Sequence, residues 1–348
     1  MPSVVQFTEP YVVELVDTPR VELPAGYVRV ETWFSGISAG TELTAYRGSN
    51  PYLTKTWDPE RRLFLEGQPT FGYPVSGWGY SEVGRVVEVA AGVTSPRPGD
   101  VVAGIWGHRS EGVFPVDAAH WRVLPAAMDP MHGVFARVGA IALNAVLAAE
   151  ARLGENLAVF GQGVIGLLAT RLARLSGARV VAVDALTDRL ERAERMGASD
   201  VVDARIEGGA GAAVRALTGL GVDSAIELSG SYRALHEAVR SVVVDGRVVA
   251  SGFYQGDGEG LRLGEEFHHN RVQIVASQIG GAPLALGPRW NQRRLVHTFL
   301  DQLATGAVDV TPLVTHVLDV AEVATAFETL DRGTGDTLQV VLRFPAAP

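Results

Sequence analysis

The sequence predicts an α/β protein with a β-rich domain and a second domain built on a doubly wound, mostly parallel sheet. Residues 1 to about 125 contain short runs of Val, Ile and aromatic residues separated by Pro and Gly, a pattern typical of strands joined by tight turns. From Leu157 to about Gln278, apolar strands alternate with amphipathic helices. Strands separated by helices of this length favour right-handed crossovers in a parallel sheet.

The elements follow this division along the chain. The first part has the candidate strands YVVELVD, GYVRVETWF, GRVVEVA and DVVAGIW, and an Ala-rich apolar stretch then predicts a buried helix over 134–152, with Gly154 as its stop. The second part has the candidate strands LAVF, RVVAVD, DVVD, SAIELS, GRVVASG and VQIVAS. The terminal strand DTLQVVLRF has no partner nearby in sequence, so we expect it to return to the first domain. We therefore assign 1–125 and 290–348 to the β-rich domain and 126–289 to the doubly wound domain.

Composition narrows the classes of function. The 348 residues carry a formal net charge of −9 and no basic run, which argues against a nucleic acid partner and leaves a small molecule. No run of about 18 apolar residues and no leader pattern is evident, so we expect no membrane partner and a cytoplasmic location. The chain contains no Cys, which excludes disulfides and thiolate metal sites. Any metal would have to use the eight His and the carboxylates.

Residues 157–184 contain the most specific motif. Strand LAVF runs into Gly161-Gln162-Gly163-Val164-Ile165-Gly166, a helix follows, and a second strand ends at Asp184. In such a Rossmann motif the first Gly allows a tight turn, the second lets the backbone approach a pyrophosphate, and the third allows close packing of helix on strand. The helix N-terminus then offers N–H groups to the phosphates. The motif predicts a nicotinamide dinucleotide cofactor.

The acid of this motif indicates which dinucleotide binds. Asp184 is expected to accept hydrogen bonds from the adenosine ribose or, alternatively, to cap the following helix. Its charge would repel a 2′-phosphate, so NAD is expected, with NADP left open by Arg189 on the next helix. Two later strand ends, 224–231 and 248–256, are expected to complete the site. The predicted cofactor-binding residues are Gly161, Gln162, Gly163, Val164, Ile165, Gly166, Asp184, Arg189, Ser229, Gly230, Gly252, Phe253, Tyr254 and Ser277.

The chain resembles the medium-chain dehydrogenase/reductase superfamily over nearly its whole length. The resemblance rests on GISAGTELTAYRG (36–48), GYSEVGRVVEVAAGV (79–93), RPGDVV (97–102) and the Rossmann segment, while FHHNRVQIVASQIGG and RWNQRRL resemble the branch of bacteriochlorophyllide hydroxyethyl dehydrogenase-like enzymes. It implies a GroES-like β-rich catalytic domain, an NAD(P)-dependent oxidoreductase activity, and a homodimer formed through the sheet edge around VQIVASQIG.

The zinc ligands that the resemblance implies are replaced in this sequence. The first ligand, a Cys, corresponds to Ala39, or to Ser38 if the alignment shifts, and the His and Glu of the family correspond to Tyr80 and Ser81. The third ligand falls near Ala140. These departures predict that the site holds no catalytic zinc.

Without zinc, another group must exchange the proton that accompanies hydride transfer. Tyr80 either does so, with its pKa shifted toward neutrality beside a charged nicotinamide, or only walls the cavity. Ser38 and Thr41 are candidate hydrogen-bond partners of the substrate. Glu42 is a candidate base or relay, or else a residue that ties down its loop. His108 is a candidate proton carrier, or a structural histidine.

These observations predict a zinc-independent, NAD(P)-dependent oxidoreductase of a secondary alcohol or ketone. The aromatic residues of the N-terminal domain suit a bulky or cyclic substrate of biosynthetic or specialised metabolism. One alternative is an enoyl or quinone reductase that acts on an activated C=C bond. A third possibility, from another class, is a protein that binds NAD(P)H without catalysis.

Overall fold

Two units divide the chain in the computed structural model, which describes residues 1–118 and 121–348. The first unit comprises Met1–Arg137 and Val310–Pro348, and the second comprises Val138–Asp309. The second unit runs from Val138 to Asp309, where the sequence suggested 126–289, so both boundaries differ from the expected ones.

The N-terminal part of the first unit is built from strands, as its Val-rich runs predicted. The longest, β3, pairs antiparallel with β7, β9 and a C-terminal strand, whereas β1 forms a small sheet with β2 and β6, and β4 and β5 form a hairpin. The only α-helix of at least one full turn described in this part is α1 (Thr41–Arg47). The strands are β1 (Ser3–Glu9), β2 (Val12–Asp17), β3 (Tyr27–Ile37), β4 (Lys55–Asp58), β5 (Leu63–Glu66), β6 (Val75–Ser76), β7 (Glu82–Val89), β8 (Val101–Gly104), β9 (Glu111–Pro115) and β10 (Arg122–Val123).

The pairing of β3 with β7 brings together the two loops in which the zinc ligands of the family would lie. Ser35 of β3 is paired with Glu82 of β7, and the Gly36 N–H donates to the Ser81 carbonyl at 2.8 Å. A Cβ at Gly84 would lie 2.3 Å from the Glu31 carbonyl oxygen, so this closeness requires glycine. The end of β3 and the start of β7 therefore share one edge of the sheet.

The second unit is a six-stranded sheet in the order β13-β12-β11-β14-β15-β16, with every neighbouring pair parallel. This arrangement confirms the predicted fold class, and all six predicted strands are present. Because the strands are parallel, their carboxyl ends meet at one edge, where ligands bind in such sheets. The strands are β11 (Asn156–Phe160), β12 (Arg179–Asp184), β13 (Asp200–Asp203), β14 (Val222–Glu227), β15 (Val242–Ala250) and β16 (Gln273–Ala276). The helices are α2 (Ala136–Ala148), α3 (Val164–Leu175), α4 (Thr187–Arg195), α5 (Ala210–Thr218), α6 (Tyr232–Ser241) and α7 (Gln292–Ala304).

Helix α7 explains why the second unit extends further than the sequence suggested. Its residue Phe299 is fully buried, and a Cβ at Gly139 of α2 would lie 2.2 Å from the Phe299 ring. The two helices therefore pack closely through a glycine. The sequence analysis assigned 290–348, which includes α7, to the β-rich domain, because a helical pattern does not show which domain a helix covers.

One stretch, Pro130–Ala148, is long and apolar enough by length and composition to cross a membrane, with a mean hydropathy of 1.5. The sequence expectation that no such run exists is wrong in this respect. Of the 18-residue window in this stretch, 72% is buried inside the protein, as is usual for the core helix of a folded domain. Its apolar character therefore has a structural explanation in α2.

The C-terminal segment returns to the first unit, as the unpaired strand in the sequence predicted. It contributes β17 (Val314–Asp319), α8 (Val323–Arg332) and β18 (Gln339–Arg343). Strand β18 pairs parallel with β17 and antiparallel with β3, with Val340 opposite Ile37. Phe327 of α8 is fully buried against Phe7, with their ring centroids 5.0 Å apart.

Candidate active site

The glycine motif of the second unit has the geometry that phosphate binding requires. Gly161 follows β11 with φ of 87°, and a Cβ at Gly166 would lie 1.8 Å from the Gly161 carbonyl oxygen. At Gly163, which precedes α3, a Cβ would meet no atom within 4 Å. The first turn of α3, which begins at Val164 and Ile165, has no acidic residue and no side-chain cap. The positive end of α3 thus carries no acidic or capping side chain, and these residues fit a dinucleotide phosphate.

Asp184 lies beside this loop and fastens it. One carboxylate oxygen accepts the Gln162 N–H at 2.6 Å, and the other accepts the Leu186 N–H at 2.9 Å. The helix-capping alternative is not realised, because α4 begins after Leu186 without a side-chain cap, and Asp184 binds loop backbone instead. A carboxylate has lone pairs for about four hydrogen bonds, so two such contacts leave acceptor capacity for ribose hydroxyls.

Two further predicted cofactor residues differ in their surroundings. The Gln162 side chain is buried, donates to the Val159 carbonyl at 2.8 Å and accepts from the Thr170 hydroxyl at 3.0 Å. It therefore holds the motif from inside. Arg189 is partly buried in α4, and its Nε has no hydrogen-bond partner among the described residues. This guanidinium nitrogen can donate a hydrogen bond to an acceptor group of the cofactor.

Glu227, which the sequence analysis missed, organises the remaining cofactor loops. It ends β14 with no exposed surface. One oxygen accepts the Ser229 N–H at 2.7 Å and the Ser229 hydroxyl, and the other accepts the Gly230 N–H at 3.1 Å and the Tyr254 hydroxyl. Burial raises the pKa of Glu227, and these hydrogen bonds oppose that rise. An acid at the carboxyl end of strand β14, directly before a loop of small residues, was the sequence signal for this role.

The loop after β15 packs directly on the loop after β14. A Cβ at Gly252 would lie 2.3 Å from the Gly230 nitrogen, so the two backbones touch. Phe253 is largely exposed, and the Ser277 hydroxyl lies 2.5 Å from that of Ser251. The predicted cofactor residues after β11, β12, β14, β15 and β16 therefore all lie at the carboxyl edge of one sheet.

In the first unit, Tyr80 and Ser38 meet at the edge formed by β3 and β7. The Tyr80 hydroxyl donates to the Ser38 hydroxyl, and Ser38 is almost fully buried. This contact favours Ser38 over Ala39 as the counterpart of the family's Cys. The Thr41 side chain also forms a hydrogen bond with the phenol.

The pKa of Tyr80 is raised, chiefly by burial and next by the charge of Glu42. Arg137 and the hydrogen bonds oppose this rise without reversing it. In the protein alone desolvation outweighs the nearby cation. The shift toward neutrality beside a charged nicotinamide stays a prediction. At neutral pH the phenol keeps its proton, which suits a hydrogen-bond or proton donor.

Arg137, another residue that the sequence analysis missed, supplies a positive charge near Tyr80. Its Nη1 is buried and has no hydrogen-bond partner in the described part of the chain. Burial lowers the pKa of Arg137, and Tyr80 opposes that change. A guanidinium of this kind can stabilise negative charge on a substrate oxygen.

Glu42 and His108 lie in a buried network that runs deeper into the first unit. His108 Nε2 is 2.8 Å from Glu42 Oε2, and His108 Nδ1 is 2.5 Å from the Ser35 hydroxyl, which donates to Glu82 at 3.2 Å. Glu82 also accepts the Trp106 N–H at 2.8 Å. The four hydrogen-bonded side chains, those of Glu42, His108, Ser35 and Glu82, are fully buried. This burial favours the structural roles that the sequence left open for Glu42 and His108.

The charges of this network are coupled. Burial raises the pKa of both Glu42 and Glu82, while His108 opposes the rise. Burial alone would lower the pKa of His108, but the two carboxylates outweigh it and raise the value. Because Ser35 donates to Glu82, it must accept from His108 Nδ1–H, so a doubly protonated imidazole satisfies every contact.

The side chains at Tyr80 do not form a zinc-ligand set. Tyr80 is hydrogen-bonded to Ser38, and the guanidinium of Arg137 lies near the phenol. Glu42 is paired with His108. Zinc in proteins takes thiolates, imidazoles and carboxylates. Among residues 1–118 and 121–348, one group of three or more His or acidic side chains has donor atoms close enough for an ion, and it lies in the second unit.

Comparisons with known proteins support the assignment of this chain to the dehydrogenases. The family model described as zinc-binding dehydrogenase matches residues 164–292. D-guloside 3-dehydrogenase of Escherichia coli (strain K12) is 30% identical over 322 residues, which cover 90% of this chain and 91% of that protein. The crystal structure of 2R,3R-butanediol dehydrogenase from Bacillus subtilis has a TM-score of 0.80 at 21% identity over 99% of both chains. An E. coli CFT073 short chain alcohol dehydrogenase complexed with NADH has a TM-score of 0.79 at 20% identity over 99% of both chains.

Proposed function

The chain belongs to the zinc-binding dehydrogenase family within the medium-chain dehydrogenase/reductase superfamily, and on this premise we propose that it is a zinc-independent, NAD-linked oxidoreductase of secondary alcohols and ketones. The observation that carries the proposal is the contact of Tyr80 with Ser38 where the family would place metal ligands. When bound, the nicotinamide cofactor would supply or accept the hydride at the substrate carbon. The residues of the chain must then bind the cofactor, orient the substrate and exchange the proton.

The residues of the second unit bind the cofactor in this proposal. The N–H groups at the start of α3 would hold the phosphates, and Asp184 would accept hydrogen bonds from the ribose. The charge of Asp184 favours NAD over a cofactor with a 2′-phosphate, whereas Arg189 leaves NADP possible. Glu227 fixes the loops of Ser229 and Tyr254 that complete the pocket.

Tyr80 is the proposed proton donor in the reductive direction. Its raised pKa keeps the hydroxyl protonated at neutral pH, so it can give a hydrogen bond and then a proton to the developing alkoxide oxygen. Arg137 stabilises the charge on that oxygen before the proton moves. In the oxidative direction the same phenol must first lose its proton, so alcohol oxidation is expected to accelerate at alkaline pH.

The proposed substrate is the secondary hydroxyl of a cyclic polyol or sugar derivative, or the corresponding ketone. This proposal rests on the relative named D-guloside 3-dehydrogenase and on the aromatic residues of the first unit. The test follows nicotinamide absorbance with the purified enzyme after dialysis against a chelator. Turnover of cyclic secondary alcohols with NAD is expected. Turnover of α,β-unsaturated ketones alone would instead identify an enoyl or quinone reductase, and binding of NADH without turnover would identify a protein without catalysis.

Substitution of Tyr80 tests the proton donor. Tyr80→Phe is expected to lower kcat at least about tenfold, because a positioned general acid contributes a factor of this size or more. Tyr73→Phe is the matched control, since the Tyr73 hydroxyl is also partly buried and donates to the Ala45 carbonyl. Steady-state rates of both variants decide the matter, and an unchanged kcat in Tyr80→Phe would remove Tyr80 from the mechanism.

We also propose that the protein is a cytoplasmic homodimer. Strand β16 is an edge of the six-stranded sheet, with pairing on one side to β15. An edge strand exposes N–H and C=O groups that a second copy can pair with. Light scattering of the purified protein measures the oligomeric state directly.

A further inference from the structure

A buried imidazole in the second unit lacks the contacts that burial demands. His236 of α6 is 3% exposed, and neither its Nδ1 nor its Nε2 has a hydrogen-bond partner among the described residues. A buried polar group without a partner costs about 1–3 kcal/mol. The arrangement therefore indicates that these nitrogens serve a ligand.

Two carboxylates face this imidazole from an irregular helical turn, Leu263–Phe267. Glu265 Oε2 lies 3.8 Å from His236 Nε2, which is too far for a hydrogen bond. Glu266 Oε2 is buried and has no hydrogen-bond partner in the part of the chain that the structure describes. One donor atom from each of the three residues lies within 4.8 Å of the others.

The nearby cations bind the opposite oxygens of these carboxylates. Arg262 Nη1 is 3.3 Å from Glu265 Oε1, and Arg240 Nε is 3.4 Å from Glu266 Oε1. Arg240 also makes two short contacts to Glu237, at 2.7 and 2.9 Å. The guanidinium groups thus orient the carboxylates, and they leave Glu265 Oε2 and Glu266 Oε2 without an arginine contact beside His236.

We propose that His236, Glu265 and Glu266 bind a divalent first-row transition metal ion, with Zn²⁺ the best fit. Zn–N bonds of about 2.0–2.1 Å and Zn–O bonds of about 2.0–2.2 Å together span roughly 4 Å, so one ion can bridge the gap from His236 to Glu265. An imidazole favours such ions over Ca²⁺ and Mg²⁺. Glu265 is half-exposed, which gives an ion access from solvent and leaves coordination positions for water.

The site would tie together two segments that carry cofactor loops. His236 lies in α6, which follows the Ser229–Gly230 loop, and the carboxylates follow the loop of Tyr254. Tyr232 and Tyr254 already contact each other at 5.2 Å between ring centroids. A metal at this position is a cross-link within the second unit. It is separate from Tyr80, which belongs to the first unit.

The experiment titrates Zn²⁺ into chelator-treated full-length protein and measures stoichiometry and affinity by calorimetry and the shift in Tm. We expect one Zn²⁺ per chain and a raised Tm for the wild type. We expect Glu265→Gln to bind at least about tenfold more weakly, because it removes one of three ligands. Glu328→Gln is the control, since Glu328 is an exposed glutamate paired with Arg332, and it should bind as the wild type does.

His236→Gln should abolish binding, and if that variant does not fold, Glu266→Gln replaces it and should weaken binding as Glu265→Gln does. Absence of stoichiometric Zn²⁺ binding by the wild type would overturn the proposal. Equal affinity in the wild type and Glu265→Gln would overturn it as well. This test is independent of the proposed catalysis. If zinc instead bound near Tyr80, Glu265→Gln would not weaken its binding. Turnover by the chelator-treated enzyme tests only the catalytic proposal.

Discussion

The two units hold their candidate site residues in different ways. In the second unit the backbone forms the site: glycines permit close approach, and Asp184 and Glu227 bind N–H groups of the loops. In the first unit side chains bond to side chains, as in Tyr80 with Ser38 and His108 with Glu42. A site made from backbone depends on small residues at fixed spacing. A site made from side chains depends on which residues meet across the sheet.

The largest effect is expected where the backbone site is most crowded. Gly166→Ala places a Cβ 1.8 Å from the Gly161 carbonyl oxygen, and the helix must shift, which costs about 3 kcal/mol or more. The free energy of unfolding and NADH affinity should both fall. Gly163→Ala is the control: its Cβ meets no protein atom, so stability should hold while NADH affinity falls. Equal stability of the two variants would contradict this account of the motif.

A smaller effect is expected when the carboxylate that fastens the loops becomes an amide. Glu227→Gln keeps the size of the side chain but turns one acceptor into a donor that faces the Gly230 N–H or the Ser229 N–H. The cost is about 1–3 kcal/mol for a buried group left without its partner, and NADH should bind more weakly. Thermal unfolding and NADH titration measure both effects. Glu259→Gln, at an exposed position of the same unit, should change neither, and a Glu227→Gln variant that behaves like it would show that Glu227 does not organise the loops.

The smallest effect concerns the side-chain network of the first unit and its dependence on pH. Glu42, Glu82 and His108 all have raised pKa values in the folded protein, so the folded state binds protons more tightly than the unfolded state. Their contribution to stability is present at low pH and is lost as pH rises, for His108 from 6.5 upward through its folded pKa.

Urea unfolding between pH 6 and 9 tests this expectation. The free energy of unfolding of the wild type should fall across the range, and Glu42→Gln should show a shallower fall, because the charge that most strongly raises the pKa of His108 is gone. Parallel curves for the two proteins would show that Glu42 does not set the protonation of His108. Such a result would weaken the contrast between the units.

The predictions from sequence succeeded where local pattern is sufficient. The six parallel strands and the position of the glycine motif follow from periodicity and glycine spacing, which act over short stretches of chain. The return of the C-terminal strand to the first unit follows from its lack of a neighbouring partner, but its pairing with β3 was not predicted. Glu227 and Arg137 were missed because their roles depend on groups brought together by folding. The same holds for Glu82, which reaches His108 through Ser35 only because β3 and β7 pair.

The sequence by itself determined the α/β class, the position of the glycine motif and the absence of thiolate ligands, because residue type and spacing define these features. Tertiary structure decided the pKa shifts and the contacts of the candidate site residues. Burial raises the pKa of Tyr80 in the protein alone, and folding leaves His236 facing two glutamates about 30 residues away along the chain. Desolvation and contacts between distant residues exist only in the folded chain, so neither can be read from a single stretch of sequence.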